Sequence, residues 1–182
     1  MNALTQFEGS ILLWIQENLR GFMDAPMRFI TMLGDHGWFW IALTLLLLIF
    51  KKTRKAGLVS ALSMILTLLV VNITVKPLVA RIRPYEVIEG LRYIVAKESE
   101  FSFPSGHSAN SLACAWVLFK LCPKKLGVPA LALGLLIALS RLYVGVHYPT
   151  DVIAGIAIGI AMAELAIFLG KKIAGACRRR KA

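Results

Sequence analysis

Apolar positions in this chain gather into five stretches that approach the length of a bilayer crossing. A spanning helix needs about 20 predominantly apolar residues, with a working range of roughly 17–25. Segments 56–77, 106–122, 126–143 and 149–170 approach or meet that length. Segment 37–50 is shorter, but Trp38 and Trp40 suit one membrane interface, and Lys51 and Lys52 can reach the other. The pattern predicts an all-α integral membrane bundle of about five transmembrane helices. Residues 5–33 read differently, because Glu17, Arg20, Asp24 and Arg28 interrupt them every third or fourth residue. Apolar residues between these charges recur at helical spacing, which predicts two short amphipathic helices lying in the interface or packed against the bundle. The chain then divides as a single domain over 1–182: interfacial helices at 5–33, a bundle at 37–170 and a basic tail at 171–182.

Composition supports a membrane location and removes other classes. Hydrophobic residues make up 58% and charged residues 17% of the 182 positions, against roughly 45–50% and about 25% in ordinary soluble domains. A soluble enzyme of this size has nowhere to bury that much apolar surface. The net charge of +11 points to anionic lipid and not to nucleic acid, because its cations border the apolar stretches. Cys114, Cys122 and Cys177 cannot all pair within one chain and form no CxxC motif, which argues against a disulfide framework or a thiolate metal site. No cleavable signal pattern opens the chain.

Charge asymmetry orients the bundle. Residues 51–55, 120–125 and 171–181 carry four, three and six cations respectively and no acidic residue. The opposite side carries Lys76, Arg81, Arg83, Arg92, Lys97 and Arg141 among Glu86, Glu89, Glu98, Glu100 and Asp151. The first set belongs in the cytoplasm. This places loop 78–105, the 142–148 turn and the N-terminus outside and the C-terminus inside, in a multi-pass plasma-membrane protein.

Ionisable groups at membrane depth are costly and mark function. Here they converge. Lys76 and Arg83 flank the outer end of the second span, Ser105 and His107 begin the third, Arg141 ends the fourth, and His147 and Asp151 begin the fifth. Connectivity brings all these ends to one face, where three mutually repelling cations would hold something strongly anionic. Ser105 suits a helix cap, Gly106 lets the backbone approach a ligand, and a helix start offers free N–H groups to an anion. Arg83 and Arg141 present forks that match phosphate oxygens, with Lys76 as a point charge. Asp151, four residues after His147, can hold one ring nitrogen and free the other as a nucleophile. His107 then supplies a second imidazole for proton transfer.

The chain reads Lys76-x6-Arg83-Pro84, then Pro104-Ser105-Gly106-His107, then Ser140-Arg141-x5-His147-x3-Asp151. This pattern resembles the type 2 phosphatidic acid phosphatase superfamily, which shares its site with vanadium haloperoxidases, and the resemblance spans about residues 30–170. It implies that His147 takes the phosphoryl group, that Asp151 orients it and that His107 protonates the leaving alkoxide. Lys76, Arg83, Ser105, Gly106 and Arg141 would hold the phosphate oxygens, with no cofactor and no metal. It further implies a lipid phosphate or diphosphate substrate, undecaprenyl diphosphate first, then phosphatidic acid or phosphatidylglycerophosphate. Many bacterial members carry six spans, where this chain offers five.

Two other functions compete. A lipid-phosphate or anion transporter would use the same cations, but apart from Glu164 nothing polar lines the inner half of the spans, and a nucleophile with its orienting acid is superfluous to transport. Haloperoxidase chemistry with vanadate suits a membrane bundle poorly. Other polar residues read as ordinary: Arg81, Arg92 and Lys97 as interfacial anchors, and His36 as a satisfied polar group with access to the pocket rim. Pro77 reads as a helix terminator, and Trp14, Trp38, Trp40 and Trp116 as belt or packing residues. Glu164 reads as a buried hydrogen-bonding group. The loop residues Val87, Ile88, Leu91 and Ile94 suggest a short surface helix, and Gly155 with Gly159 suggests close helix packing inside the monomer.

Overall fold

The computed structural model of the chain describes residues 3–179. Arg180, Lys181 and Ala182 of the basic tail lie outside the described residues, as do the side chains of Cys177, Arg178 and Arg179. Every regular element among the described residues is helical. In chain order the α-helices are α1 (Ala3–Leu19), α2 (Asp24–Met32), α3 (Trp38–Ile49), α4 (Arg54–Thr67), α5 (Lys76–Val79), α6 (Pro84–Val87), α7 (Gly106–Leu121), α8 (Lys124–Tyr143) and α9 (Pro149–Arg179), with a 3-10 turn at Asp35–Gly37 and a π-helix at Leu68–Val75.

Among the described residues, three stretches, Arg54–Val87, Lys124–Tyr143 and Pro149–Gly175, are long and apolar enough to cross a membrane. A fourth crossing is available if α2 and α3, bent by 44° at the Asp35–Gly37 turn, act as one broken span. The count of five therefore does not follow from length alone. The 37–50 segment makes a helix of only 12 residues, too short to cross alone, and α2 continues it across a bend of 44°. His36 (φ 50°) and Gly37 (φ 69°) supply the backbone reversal at the break. The 16 residues of α7 extend about 24 Å at 1.5 Å each, short of the roughly 30 Å hydrocarbon layer. Yet α7 is the central helix, walled by protein: Ala109, Ala113, Cys114, Ala115 and Val117 are fully buried.

Small residues let the other helices close on α7. A Cβ on Gly159 would lie 2.3 Å from the Ala109 carbonyl oxygen, and one on Gly155 would lie 2.5 Å from that of Ser105. The glycine pair thus serves α7–α9 contact within the chain, as expected. Trp40 is wholly buried and donates Nε1–H to Ser111 Oγ at 2.9 Å, so it packs the core. Outward-facing Leu45, Ile65, Ile73, Ile153 and Phe168 form an apolar exterior suited to lipid.

Pro77 does not end its helix. Residues Leu68–Val75 widen into a π-helix, with Lys76 N–H bonded to the Val71 carbonyl, and the helical path runs on to Val79. A proline ring clashes with the carbonyl four residues back and offers no N–H, and a wider turn relieves both. The helix anticipated from Val87 to Ile94 is also absent. Only Pro84–Val87 is helical, Gly90 turns the chain at φ 78°, and Ile88 and Leu91 are buried against Leu12 of α1 and Tyr148. Helix α1 therefore packs against the bundle, beneath the loop. Glu164 is exposed, not buried. It accepts Trp116 Nε1–H at 2.7 Å and pairs with Lys120 at 3.3 Å.

Candidate active site

The break between α2 and α3, the end of the α4–α5 path, the loop 88–105, the start of α7 and the turn before α9 surround a cavity of about 560 Å³. Lys76, Gly106, His107, Arg141 and His147 line it, as expected from sequence. Arg83, Ser105 and Asp151 do not; they hold residues that do. Ser105 is fully buried and caps α7, its Oγ accepting Ser108 N–H at 3.3 Å and Ser108 Oγ–H at 2.9 Å. Gly106 has no close protein neighbour on its Cβ side: the nearest atoms would be Asn72 Oδ1 and Lys76 Nζ, both at 3.7 Å. The missing side chain leaves cavity space beside a lysine.

His147 is 1% exposed and sits in the turn that precedes α9. Its Nδ1 faces Asp151 Oδ2 at 3.4 Å, one helical turn on, and its Nε2 faces Arg83 Nη1 at 3.3 Å. Burial pushes the imidazole down to about 4, against the pull of Asp151, with Arg141 and Arg83 acting in the same direction as burial. The ring is neutral at pH 7. Asp151 is itself fixed from three further sides. Oδ2 accepts Ser102 Oγ–H at 2.5 Å and Tyr148 N–H at 2.9 Å, and Oδ1 accepts Arg81 Nη1–H at 2.7 Å.

Arg81 is thus no interfacial anchor. Its other Nη pairs with Glu8 Oε2 at 2.5 Å, and its guanidinium lies 3.7 Å above the Tyr148 ring. Glu8 in turn accepts Thr150 N–H at 2.9 Å and Thr150 Oγ1–H at 2.6 Å. A continuous polar chain therefore joins Glu8 of α1 to the His147 ring through Arg81 and Asp151.

The three expected phosphate cations all meet carboxylates or carbonyls. Arg83 donates Nε–H to the Glu100 carbonyl at 2.8 Å and Nη1–H to the Val146 carbonyl at 2.9 Å. Arg141 donates Nη1–H to Thr31 Oγ1 at 2.5 Å. The Glu98 carboxylate bridges Arg83 and Arg141, and Glu100 pairs with Lys76. Burial alone would raise the Glu98 carboxyl; Arg141 and Arg83 override this and bring it to about 2.

His107 finds the acidic partner that its own helix lacks. Its Nε2 lies 2.9 Å from Asp35 Oδ1, in the α2–α3 break. A Cβ on Gly34 would fall 2.6 Å from the His107 ring, so only glycine allows that approach. His36 lines the cavity, at the rim position its sequence context permits, and Lys97 lines it while pairing with Glu86 at 2.9 Å. No group of three or more His, Cys, Asp or Glu residues among the described residues converges as a metal site.

Sequence reading missed Glu8, Asp35, Arg81, Ser102, Glu98 and Glu100. A signal existed for two of them. Glu8 is a charge in an apolar helical stretch, and Arg81 falls inside the Lys76-x6-Arg83 spacing. The others reach the site only through tertiary folding.

The family model described as PAP2 superfamily matches residues 56–172. An undecaprenyl-diphosphatase of Sulfolobus acidocaldarius is 32% identical over 153 residues, covering 84% of this chain and 73% of the relative. The crystal structure of a transmembrane PAP2 type phosphatidylglycerolphosphate phosphatase from Bacillus subtilis superposes with a TM-score of 0.76 at 28% identity, covering 95% of this chain and 89% of that one. LpxE of Aquifex aeolicus superposes with a TM-score of 0.77 at 25% identity, over 87% and 93% of the two chains. The chain belongs to the PAP2 superfamily, as an all-helical membrane protein within it.

Proposed function

We propose that the chain is a membrane phosphatase that hydrolyses lipid phosphates or diphosphates through a phosphohistidine on His147. The observation that carries this reading is the two-sided setting of the His147 ring. Asp151 faces Nδ1 and the arginine cradle faces Nε2. With the proton on Nδ1, Nε2 keeps its lone pair and attacks phosphorus, while the bond to the leaving oxygen breaks on the far side. Positive charge that builds on the ring is stabilised by Asp151, itself held by Arg81 and Ser102. Arg83, Arg141 and Lys76 neutralise the phosphate oxygens, the electrostatic work that a metal does elsewhere, so no divalent ion is needed. His107, with Nε2 on Asp35, delivers the Nδ1 proton to the leaving alkoxide. In the second half-reaction it accepts a proton from the water that splits the phosphoenzyme, releasing inorganic phosphate.

Leu78, Val79 and Ile82, between Lys76 and Arg83, are exposed and apolar. They offer lipid tails a surface while the headgroup enters the cavity. Undecaprenyl diphosphate is the favoured substrate, in keeping with the name of the Sulfolobus relative, and phosphatidylglycerophosphate and phosphatidic acid follow. The cation asymmetry supports a site on the outer face of the plasma membrane. The test is inorganic phosphate release by purified protein in detergent, from diphosphate and monophosphate lipids, with and without EDTA. His147→Ala should abolish turnover and phosphoenzyme with every substrate. His107→Ala should cost about 10²–10⁴-fold on an alkyl phosphate and less on a diphosphate. A phosphoenzyme that survives His147→Ala, or activity lost in EDTA and restored by one metal, refutes the mechanism.

A further inference from the structure

The cations read above as the phosphate seat are already engaged by two carboxylates of one loop. Glu98 sends Oε1 to Arg141 and Oε2 to Arg83, and Glu100 sends Oε2 to Lys76. Both glutamates line the same cavity as His107 and His147. They fill the seat incompletely. Arg141 Nε is buried with no hydrogen-bond partner, and Arg83 Nη2, although paired in charge with Glu98, has no aligned acceptor. Arg141 is 1% exposed and Arg83 is 2% exposed, so bulk solvent does not reach these groups. A buried N–H without an acceptor marks a place where another oxygen belongs.

The chemistry of the two kinds of membrane phosphate gives this arrangement a consequence. A phosphodiester headgroup brings one negative charge and two free oxygens, the same as a carboxylate. Exchanging it for Glu98 gains no charge and no acceptor. A terminal phosphate, whether monoester or diphosphate, brings a third free oxygen and a charge near −2 at neutral pH. It can satisfy the guanidinium N–H groups that Glu98 leaves open. We propose that Glu98, with Glu100 in a lesser part, is a selectivity device: an internal competitor that yields the seat to terminal phosphates and withholds it from phosphodiester lipids. This rests on the phosphate-seat reading of Arg83, Arg141 and Lys76. Without such a competitor, a tricationic pocket in a membrane would fill with the phosphodiesters around it.

Displacement is sterically open. The Glu98 side chain is 28% exposed and that of Glu100 is 57% exposed, and neither residue belongs to a helix. Each can swing toward solvent as phosphate enters. Arg141 and Arg83 keep Glu98 ionised throughout the ordinary pH range, so the competitor is always charged.

The test uses the full chain in detergent micelles, as wild type, Glu98→Gln and Glu100→Gln. Turnover of a lipid monophosphate is followed against two inhibitors, inorganic phosphate and a phosphatidylglycerol-type phosphodiester. Wild type should ignore the diester. Glu98→Gln should become sensitive to it, and its inhibition constant for inorganic phosphate should fall about tenfold, the scale of one charge-assisted hydrogen bond. Glu100→Gln should move the same way by less, and carries the test if Glu98→Gln melts early. Two results overturn the proposal: variants that stay indifferent to the diester and bind phosphate no tighter, or variants that bind phosphate more weakly. A wild type that neither turns over the lipid nor responds to phosphate overturns the seat itself, and the competitor with it.

Discussion

Asp35→Asn gives a sharp test of the division of labour between the two histidines. His107 Nε2 lies 2.9 Å from Asp35 Oδ1, so the carboxylate holds the ring in place and accepts its Nε2–H. Asparagine keeps the shape and can keep one hydrogen bond, but it loses the charge. A hydrogen bond to a charged group is worth about 1.5–3 kcal/mol when well buried. The Asp35 side chain is 49% exposed, and solvent screening brings the figure to about 1 kcal/mol, roughly a fivefold rate loss. That loss should fall on kcat for an alkyl phosphate, whose alkoxide cannot leave without a proton. A diphosphate, which expels a stable phosphate, should slow by less than about twofold. Phosphate release in micelles on both substrates gives the first readout. The second is a double-mutant cycle: on a His107→Ala background, Asp35→Asn should cost nothing more. Equal losses on the two substrates, or a full Asp35→Asn effect without His107, would refute the reasoning.

Arg81→Met leaves the Glu8 and Asp151 carboxylates buried without their shared cation. It should destabilise the protein by about 3 kcal/mol, read as a fall in Tm in detergent. Glu8→Gln combined with Arg81→Met should recover part of that Tm without recovering kcat, and an unchanged Tm in the single variant would show that the pair holds nothing in place. The His147 ring should remain neutral down to about pH 4 in a ¹⁵N-histidine NMR titration, because burial opposes its charge. Its sign in stability follows: the unfolded chain takes up a proton near the ordinary 6.5 that the folded ring refuses. The ring's contribution is therefore complete above that pH and is lost as pH falls toward 4. Titration of His147 near 6.5 would contradict its burial.

The periodicity of apolar residues located the helices well because lipid and protein core impose the same demand on them. Segment 126–143 corresponds to α8 and 149–170 to the apolar part of α9, within a few residues. Spacing between charged residues also identified Lys76, Gly106, His107, Arg141 and His147 as neighbours, since helix ends on one side of a membrane must meet. The failures share a cause. Asp35 reaches His107 from 72 positions away, and Glu8 reaches Arg81 from 73. No local rule encodes either contact. Arg81 looked like an interfacial anchor because a lone arginine at a helix end usually is one; only the burial of Glu8 and Asp151 reveals that it bridges two acids. Ser105 was legible both as a cap and as a phosphate ligand; in the fold its oxygen accepts from Ser108 N–H and Oγ–H, which makes it the α7 cap and leaves its own O–H to donate elsewhere.

Charge balance explains how such a site survives at the edge of a hydrocarbon layer. Lys76, Arg81, Arg83 and Arg141 are four cations, three of them almost fully buried, and each would be costly alone. Glu8 and Asp151 offset Arg81 from behind the histidine, and those contacts are buried and multiply bonded, which suits a permanent support. Glu98 and Glu100 offset the other three from the cavity side, and those contacts are partly exposed and leave N–H groups unmet. The two sets of carboxylates therefore do different jobs. On the proposed mechanism, one set holds the nucleophile in place through every step, while the other keeps the proposed phosphate cations from standing unpaired until a substrate with more charge and more oxygens replaces it. A pocket built from the cations alone would be harder to fold and harder to keep clear of the wrong lipid.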